Sequence, residues 1–424
     1  MLNKLKIIIF TLKVISISFL INESAFAFDD SFKEITKPNE IHHIKITKDI
    51  SLDIYLPPNS NKSKLLSTLY VMDSQHYIYN AIGYQKSLRF GADISPEYIV
   101  VGINTEKLED SRNAFLNKDA GSMIALMKNS IVPYIEKHYP SNNRRMYFGW
   151  ESAAIFGLKM FNSTPELFEG YFLASGQHYS KEQLAKLEGN LKNNTALGNY
   201  FYLSLGKGER WTLDGHKAMT SLFEKYKDAK IKWKFSYFDR FSSSYDHYTT
   251  PLESLTHGLD WYFSDYPDLA FHSVDEITNF GGVAAVINYY KTRASRYQIS
   301  PEVGDQAKLT MLRQAAQAND YKLYKTFEQE LGLLDVTGRY WHHFFAQFYL
   351  KNNEIKRAEE TYKKGLQEDP EEALYWAELA AIYESQQKYH KAIDYYQSAL
   401  KYTQKSDETY TTYKQHVVRL ISML

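Results

Sequence analysis

The amino-acid sequence predicts an α/β fold, a doubly wound and mostly parallel sheet, followed by an all-α region. Three observations carry this. Between residues 51 and 263, runs of β type alternate with runs of helix type, the pattern of a largely parallel sheet with helices on both faces. From Asp275 the strand signal stops and helical patterning continues to the end of the chain. Within that stretch a self-similarity with a period of 34 residues returns the same small and aromatic residues, the mark of stacked helical pairs.

The elements follow in order. Ser51–Leu56 alternates as an outer strand does, whereas 65–72 (LLSTLYVM) and 98–104 (YIVVGIN) are almost continuously apolar, as strands buried on both faces are. Residues 122–139 carry Met123, Leu126, Met127, Ile131, Tyr134 and Ile135 at helical spacing, which predicts an amphipathic helix kinked at Pro133 and ending at Tyr139-Pro140. Strands are expected at 145–150, 170–174, 200–205 and 231–238, and helices at 152–161, 214–226 and 252–263. Crossovers in such sheets are right-handed and ligands bind outside the carboxyl ends of the strands. The loops after Met72, Asn104, Trp150, Leu205 and Phe238 are therefore expected to share one face and hold the functional site.

In the helical region Ala346, Tyr349, Ala358 and Tyr362 return 34 positions later as Ala380, Tyr383, Ala392 and Tyr396, and Pro370 falls where one helix pair must end. This pattern resembles the tetratricopeptide repeat family over residues 338–405. Small Ala358 and Ala392 let helices approach, and the aromatic residues fill the space between pairs. Residues 304–337 are a candidate for an earlier, degenerate repeat. Two repeats cannot bury a continuous core alone, so they are expected to lean on the helices of 275–337 or on the α/β domain. The partition is thus a signal segment over 1–27, an α/β domain over 28–270, a helical connector over 271–337 and the repeats over 338–424.

Composition narrows the function. The 424 residues are 44% hydrophobic and 24% charged, enough for a sizeable core. Lys plus Arg and Asp plus Glu both number 50, and without a dense basic run the chain is not expected to bind nucleic acid. The absence of cysteine removes disulfides, thiol nucleophiles and cysteine metal sites. His42-His43 and His342-His343 are adjacent pairs whose side chains diverge, so they read as structural or surface features, and neither a metal nor another cofactor is expected. At the amino terminus Lys4 and Lys6 precede an apolar stretch from Ile7 to Ile21, interrupted by Lys13, and Ala25-Phe26-Ala27 offers a cleavage site. This reads as a secretory signal that leaves a mature chain beginning at Phe28 in the periplasm or outside the cell, with no later membrane-spanning segment.

The chemistry centres on Tyr147-Phe148-Gly149-Trp150-Glu151-Ser152-Ala153-Ala154, which follows a strand and opens a helix. That is the context of the G-x-S-x-G elbow, where a nucleophile stands clear on a strained turn. Together with YVMD at 70–73, VVGIN at 100–104, PYIEKHYP at 133–140, LFEGYFLASG at 167–176 and DHYTTPLESLTHGLDWYF at 246–263, it resembles the esterase family of α/β-hydrolases that includes esterase D and the enterochelin esterases. The resemblance covers residues 40–265, and members of that family often end in tetratricopeptide-like repeats.

Carried over by position, the family's Gly-His-Ser-Leu-Gly-Gly falls on Gly149, Trp150, Glu151, Ser152, Ala153 and Ala154, so glutamate stands where the serine nucleophile belongs. Ser152 lies one residue too late for that corner. The resemblance places the base at His247, in the loop after the strand 231–238; for the acid, Glu209, just after the strand 200–205, is the first choice and Asp214 the second, and a helix-start carboxylate is the alternative reading of either. Backbone N–H groups near Ser74 and at Ser152 are the expected oxyanion donors. A carboxylate at 151 is expected to draw His247 toward imidazolium and to occupy the oxyanion pocket.

Three readings follow. The chain is a pseudo-hydrolase that binds an acyl or peptide-like small ligand while its repeats hold a protein or peptide partner. Alternatively it is a working ester hydrolase that uses Glu151 or Ser152 with His247, or else a scaffold built for protein interaction.

Overall fold

The computed structural model describes residues 40–58, 60, 65–91, 94–193, 197–240, 245–332, 334 and 336–424; the signal segment expected over 1–27 lies outside them. The chain divides into two units, the second beginning at Asp268.

Eight strands form one sheet in the first unit among the described residues. They are β1 (Ile41–Lys45), β2 (Ser51–Tyr55), β3 (Leu66–Met72), β4 (Tyr98–Asn104), β5 (Ser141–Trp150), β6 (Gly170–Ala174), β7 (Tyr200–Gly206) and β8 (Lys232–Phe238), in the spatial order β1-β2-β4-β3-β5-β6-β7-β8. The pairs β1/β2 and β2/β4 are antiparallel and the rest parallel. The apolar runs of β3 and β7 are buried along their whole length, as strands covered on both faces must be. The outermost strand β8 alternates and exposes Lys232, which discourages further strand pairing. Strand β1 has no counterpart among the elements read from the sequence.

Helices α1 (Ser74–Arg89), α2 (Arg112–Asn117), α3 (Ala120–Leu126), α4 (Val132–His138), α5 (Ser152–Ser163), α6 (Lys181–Asn193), α7 (Leu213–Lys225) and α8 (Asp246–Tyr262) cover the sheet. The single helix expected over 122–139 is instead α3 and α4 joined by a π-turn at Met127–Ile131. Pro133 sits at the start of α4 and has no N–H to give, so the ladder is re-spaced just before it. Helix α8 also departs from expectation. It begins six residues early and takes His247 into its first turn, although Pro251 lies inside it.

In the second unit α9 (Val274–Phe280), α10 (Gly282–Tyr297), α11 (Asp305–Gln317), α12 (Tyr321–Leu331), α13 (Arg339–Lys351), α14 (Ile355–Glu368), α15 (Ala373–Ser385), α16 (Tyr389–Lys401) and α17 (Glu408–Ile421) share one core that runs from Phe271 to Leu420. Ala346, Ala358, Tyr362, Ala380, Tyr383, Ala392 and Tyr396 are all buried in it. The starts of α11, α13 and α15 are 34 residues apart, as are those of α12, α14 and α16. Among the described residues no helix is long and apolar enough to cross a membrane.

Candidate functional site

The carboxyl ends of β3, β5 and β6 each give way to a non-glycine residue with positive φ: Asp73 at 57°, Glu151 at 57° and Ser175 at 49°. Such backbone is held only where the surroundings enforce it, and it gathers at functional sites. Glu151 stands between β5 and α5, with ψ −117° and its N–H bonded to Ala174 O at 2.9 Å. The turn is tight because Gly149 lacks a side chain: a Cβ there would lie 2.6 Å from Ala153 O.

Three chain segments converge on His247. Its Nδ1 donates to Glu209 Oε1, and its Nε2 faces Glu151 Oε1 at 3.1 Å. Glu209 is fully buried, and its other oxygen accepts from Ser175 Oγ at 2.8 Å and Gly206 N at 2.7 Å. Asp214 is exposed in the first turn of α7, so Glu209 is the carboxylate that meets the imidazole. Burial acts to lower the pKa of His247, but its hydrogen bonds to Glu151 and Glu209, with their negative charge, outweigh this and raise it from 6.5 to about 9. With acceptors at both ring nitrogens, the ring is an imidazolium that donates twice and has no lone pair with which to take a proton.

Trp150 holds the histidine turn in place. Pro251 cannot donate to the carbonyl of His247 four residues earlier, and the Trp150 indole N–H donates to that carbonyl instead, at 3.2 Å. The indole ring also lies over the imidazole, with centroids 4.8 Å apart. The Ser152 hydroxyl does not reach this cluster; it donates to Asn113 Oδ1 at 2.7 Å from the first turn of α5. In the alternative in which Ser152 attacks, this hydroxyl would have to turn away from the neighbouring α2.

Ser74 opens α1 and Ser152 opens α5, so both backbone N–H groups lie in first helical turns, where no intrahelical carbonyl serves them. The Ser74 hydroxyl donates to Asp53. Among the described residues Glu151 makes no hydrogen bond to either N–H. It accepts instead from Gln177 Nε2 at 2.5 Å, so its carboxylate lies on the histidine side and does not fill the oxyanion position expected of it.

Gln177, Asn113 and the Asp73–Arg112 pair, in which Arg112 Nε and Nη2 clamp the carboxylate at 2.7 and 2.5 Å, stand outside the residues expected from the sequence. Gln177 had a signal: it follows the carboxyl end of β6, a loop the sequence expectation left out. The histidine pairs are engaged elsewhere, His43 with Asp53 at 2.5 Å and His342 with Glu368 at 3.0 Å. Among the described residues no group of three His, Asp or Glu side chains is placed to hold a metal.

Residues 342–372 and 373–406 match the tetratricopeptide repeat family model. No curated protein matches the chain. Among solved structures, an IroE-like serine hydrolase from Shewanella oneidensis is 14% identical with a TM-score of 0.50, over 69% of this chain and 97% of that one. An uncharacterised protein from Capnocytophaga ochracea is 15% identical with a TM-score of 0.44, over 90% and 99%. The siderophore hydrolase EstA from Aspergillus nidulans is 15% identical with a TM-score of 0.46, over 56% and 98%. At these identities the likeness is one of fold: an α/β-hydrolase sheet like that of the Shewanella protein, followed by tetratricopeptide repeats over residues 342–406.

Proposed function

We propose that this chain is an exported pseudo-hydrolase of the esterase type, which binds a small acyl or peptide-like ligand at the Glu151 face while its repeats engage a protein or peptide partner. The observation that carries this is the doubly bonded imidazole of His247, between Glu209 on Nδ1 and Glu151 on Nε2. A serine hydrolase needs Nε2 free to take the nucleophile's proton. Here the nucleophile's place belongs to an acceptor, and the nitrogen that should accept is donating. Export rests on Lys4, Lys6, the stretch from Ile7 to Ile21 and Ala25-Phe26-Ala27; mass spectrometry of the protein from its native host should find Phe28 at the mature amino terminus.

The test is a panel of short-chain 4-nitrophenyl esters. Wild type is expected to show no more than the ~10³ over the buffer rate that binding and oxyanion contacts supply by themselves. Glu151→Ser frees Nε2 and supplies a hydroxyl at the corner, and kcat/KM should rise by about a hundredfold or more above wild type, because nucleophile and base are then both in place. Adding His247→Ala should remove the gain.

A second reading has one observation in its favour: Glu151 Oε2 has no partner among the described residues, and the side chain is 22% exposed. Glu151 would then act as a base toward water, with His247 protonating the leaving alkoxide. Wild-type hydrolysis that disappears in Glu151→Gln would decide for this reading and against the pseudo-hydrolase.

A further inference from the structure

Beside Glu151 a cleft of about 780 Å³ runs along α5. Its floor is the stripe Ser152, Ile155, Lys159 and Asn162, spaced three, four and three residues apart, so that all four lie on one helix face. One wall comes from α2 and the turn after it, with Asn113, Asn117 and Lys118; the other comes from the loop after β6 and from α6, with Gln177, Gln183 and Lys186.

Charge in the cleft is uneven. Glu182 is the one carboxylate among the lining residues, and Lys186 already holds it at 2.9 Å. Lys159 Nζ donates only to oxygens of Asn117, the carbonyl at 2.9 Å and Oδ1 at 3.1 Å, and Lys118 has no ion pair among the described residues. Burial lowers the pKa of Lys159, with the field of Glu182 opposing. Two ammonium groups without carboxylate partners thus line a concave surface, where an incoming anion would be screened less than in open water. The other end is marked by Gln177, bonded to Glu151, whose negative charge disfavours an anion there. From Glu151 to Lys159 is eight residues of helix, about 12 Å.

We propose that this cleft takes an elongated small molecule that is anionic at one end only, its carboxylate or phosphate at Lys159 and Lys118 and its neutral polar end at Gln177 beside Glu151. This rests on the reading of the Glu151 face as a ligand site and names the class of ligand it takes.

Isothermal titration calorimetry of the full chain with 8-hydroxyoctanoate, 8-hydroxyoctyl phosphate and 1,8-octanediol tests it. At least one of the two anions should bind, and which one does separates carboxylate from phosphate; the diol should bind at least about tenfold more weakly. Lys159→Gln should weaken the anion by about tenfold, Lys159→Arg should keep it, and about 0.3 M salt should weaken it. Lys118→Gln is the second variant should Lys159→Gln fail to fold. Equal binding of diol and anions, no binding of any of the three, or affinity indifferent to both lysines overturns the proposal. Revived ester hydrolysis in Glu151→Ser without a preference for anions would sink this inference alone. Lysine-dependent anion binding without that revival would sink the pseudo-hydrolase reading alone.

Discussion

His247 is protonated on both ring nitrogens because each faces a carboxylate, and this has a consequence for stability. In the unfolded chain the imidazole titrates at its ordinary 6.5, and in the folded protein at about 9. A group whose folded pKa is raised contributes stability that is fully present below pH 6.5 and is lost as the pH climbs through 9, a contribution of about 3 kcal/mol. Urea-unfolding free energies measured from pH 6 to pH 10 should therefore fall more steeply for wild type than for Glu151→Gln, which removes one of the two carboxylates. Equal slopes would show that Glu151 does not hold the proton. Glu209 is tied more tightly, buried with three donors on its two oxygens. Glu209→Ala leaves a buried imidazolium and two lost acceptors, and should cost on the order of 3–5 kcal/mol in the same assay.

Helix α8 shows how an element can be hidden from sequence patterning and yet be fully determined. The run DHYTTPLESL contains Pro251, which argues for a helix start near Leu252 and leaves His247 in a loop. The helix starts at Asp246 because the carbonyl that Pro251 deprives of a partner is served by Trp150, a residue from the end of β5 and 97 positions away. Local patterning carries no trace of such a partner. Trp150→Phe keeps an aromatic ring but deletes the N–H and the outer part of the indole, so it should destabilise by about 1–3 kcal/mol. In a Pro251→Ala background residue 251 supplies its own N–H, and the same Trp150 change should cost at least about 1 kcal/mol less. Additive effects in that double-mutant cycle would mean that the indole bond does not replace the missing helical one. By contrast, the strand-to-helix turn marks Glu151 in the sequence and the family resemblance points to His247, while chain order alone leaves Glu209 and Asp214 both open as the acid. Gln177 depends on β6 lying beside β5, which only the sheet order reveals.

The two units place their cores apart in the sequence, one cluster running from Ile44 to Ala229 and the other from Phe271 to Leu420. The repeat period is legible in the second unit because its helices return to the same face every 34 residues, and α11 and α12 keep that spacing even where the residues have drifted. At the positions of Ala358 and Tyr362 the earlier pair carries Tyr324 and Glu328, so the helix starts persist while the small-residue signature does not. Close approach within the repeats can be probed at Gly365 of α14, where a Cβ would lie 2.5 Å from the Tyr375 ring on α15. Gly365→Ala must push that ring aside in a packed core, which costs about 1–3 kcal/mol. In a Glu151→Ser background the substitution should lower the thermal transition of the repeats while kcat/KM on nitrophenyl esters stays unchanged, because the strain is confined to a core in which the Glu151 turn takes no part. A parallel loss of ester turnover in the folded variant would mean instead that repeat packing and the Glu151 face are energetically coupled.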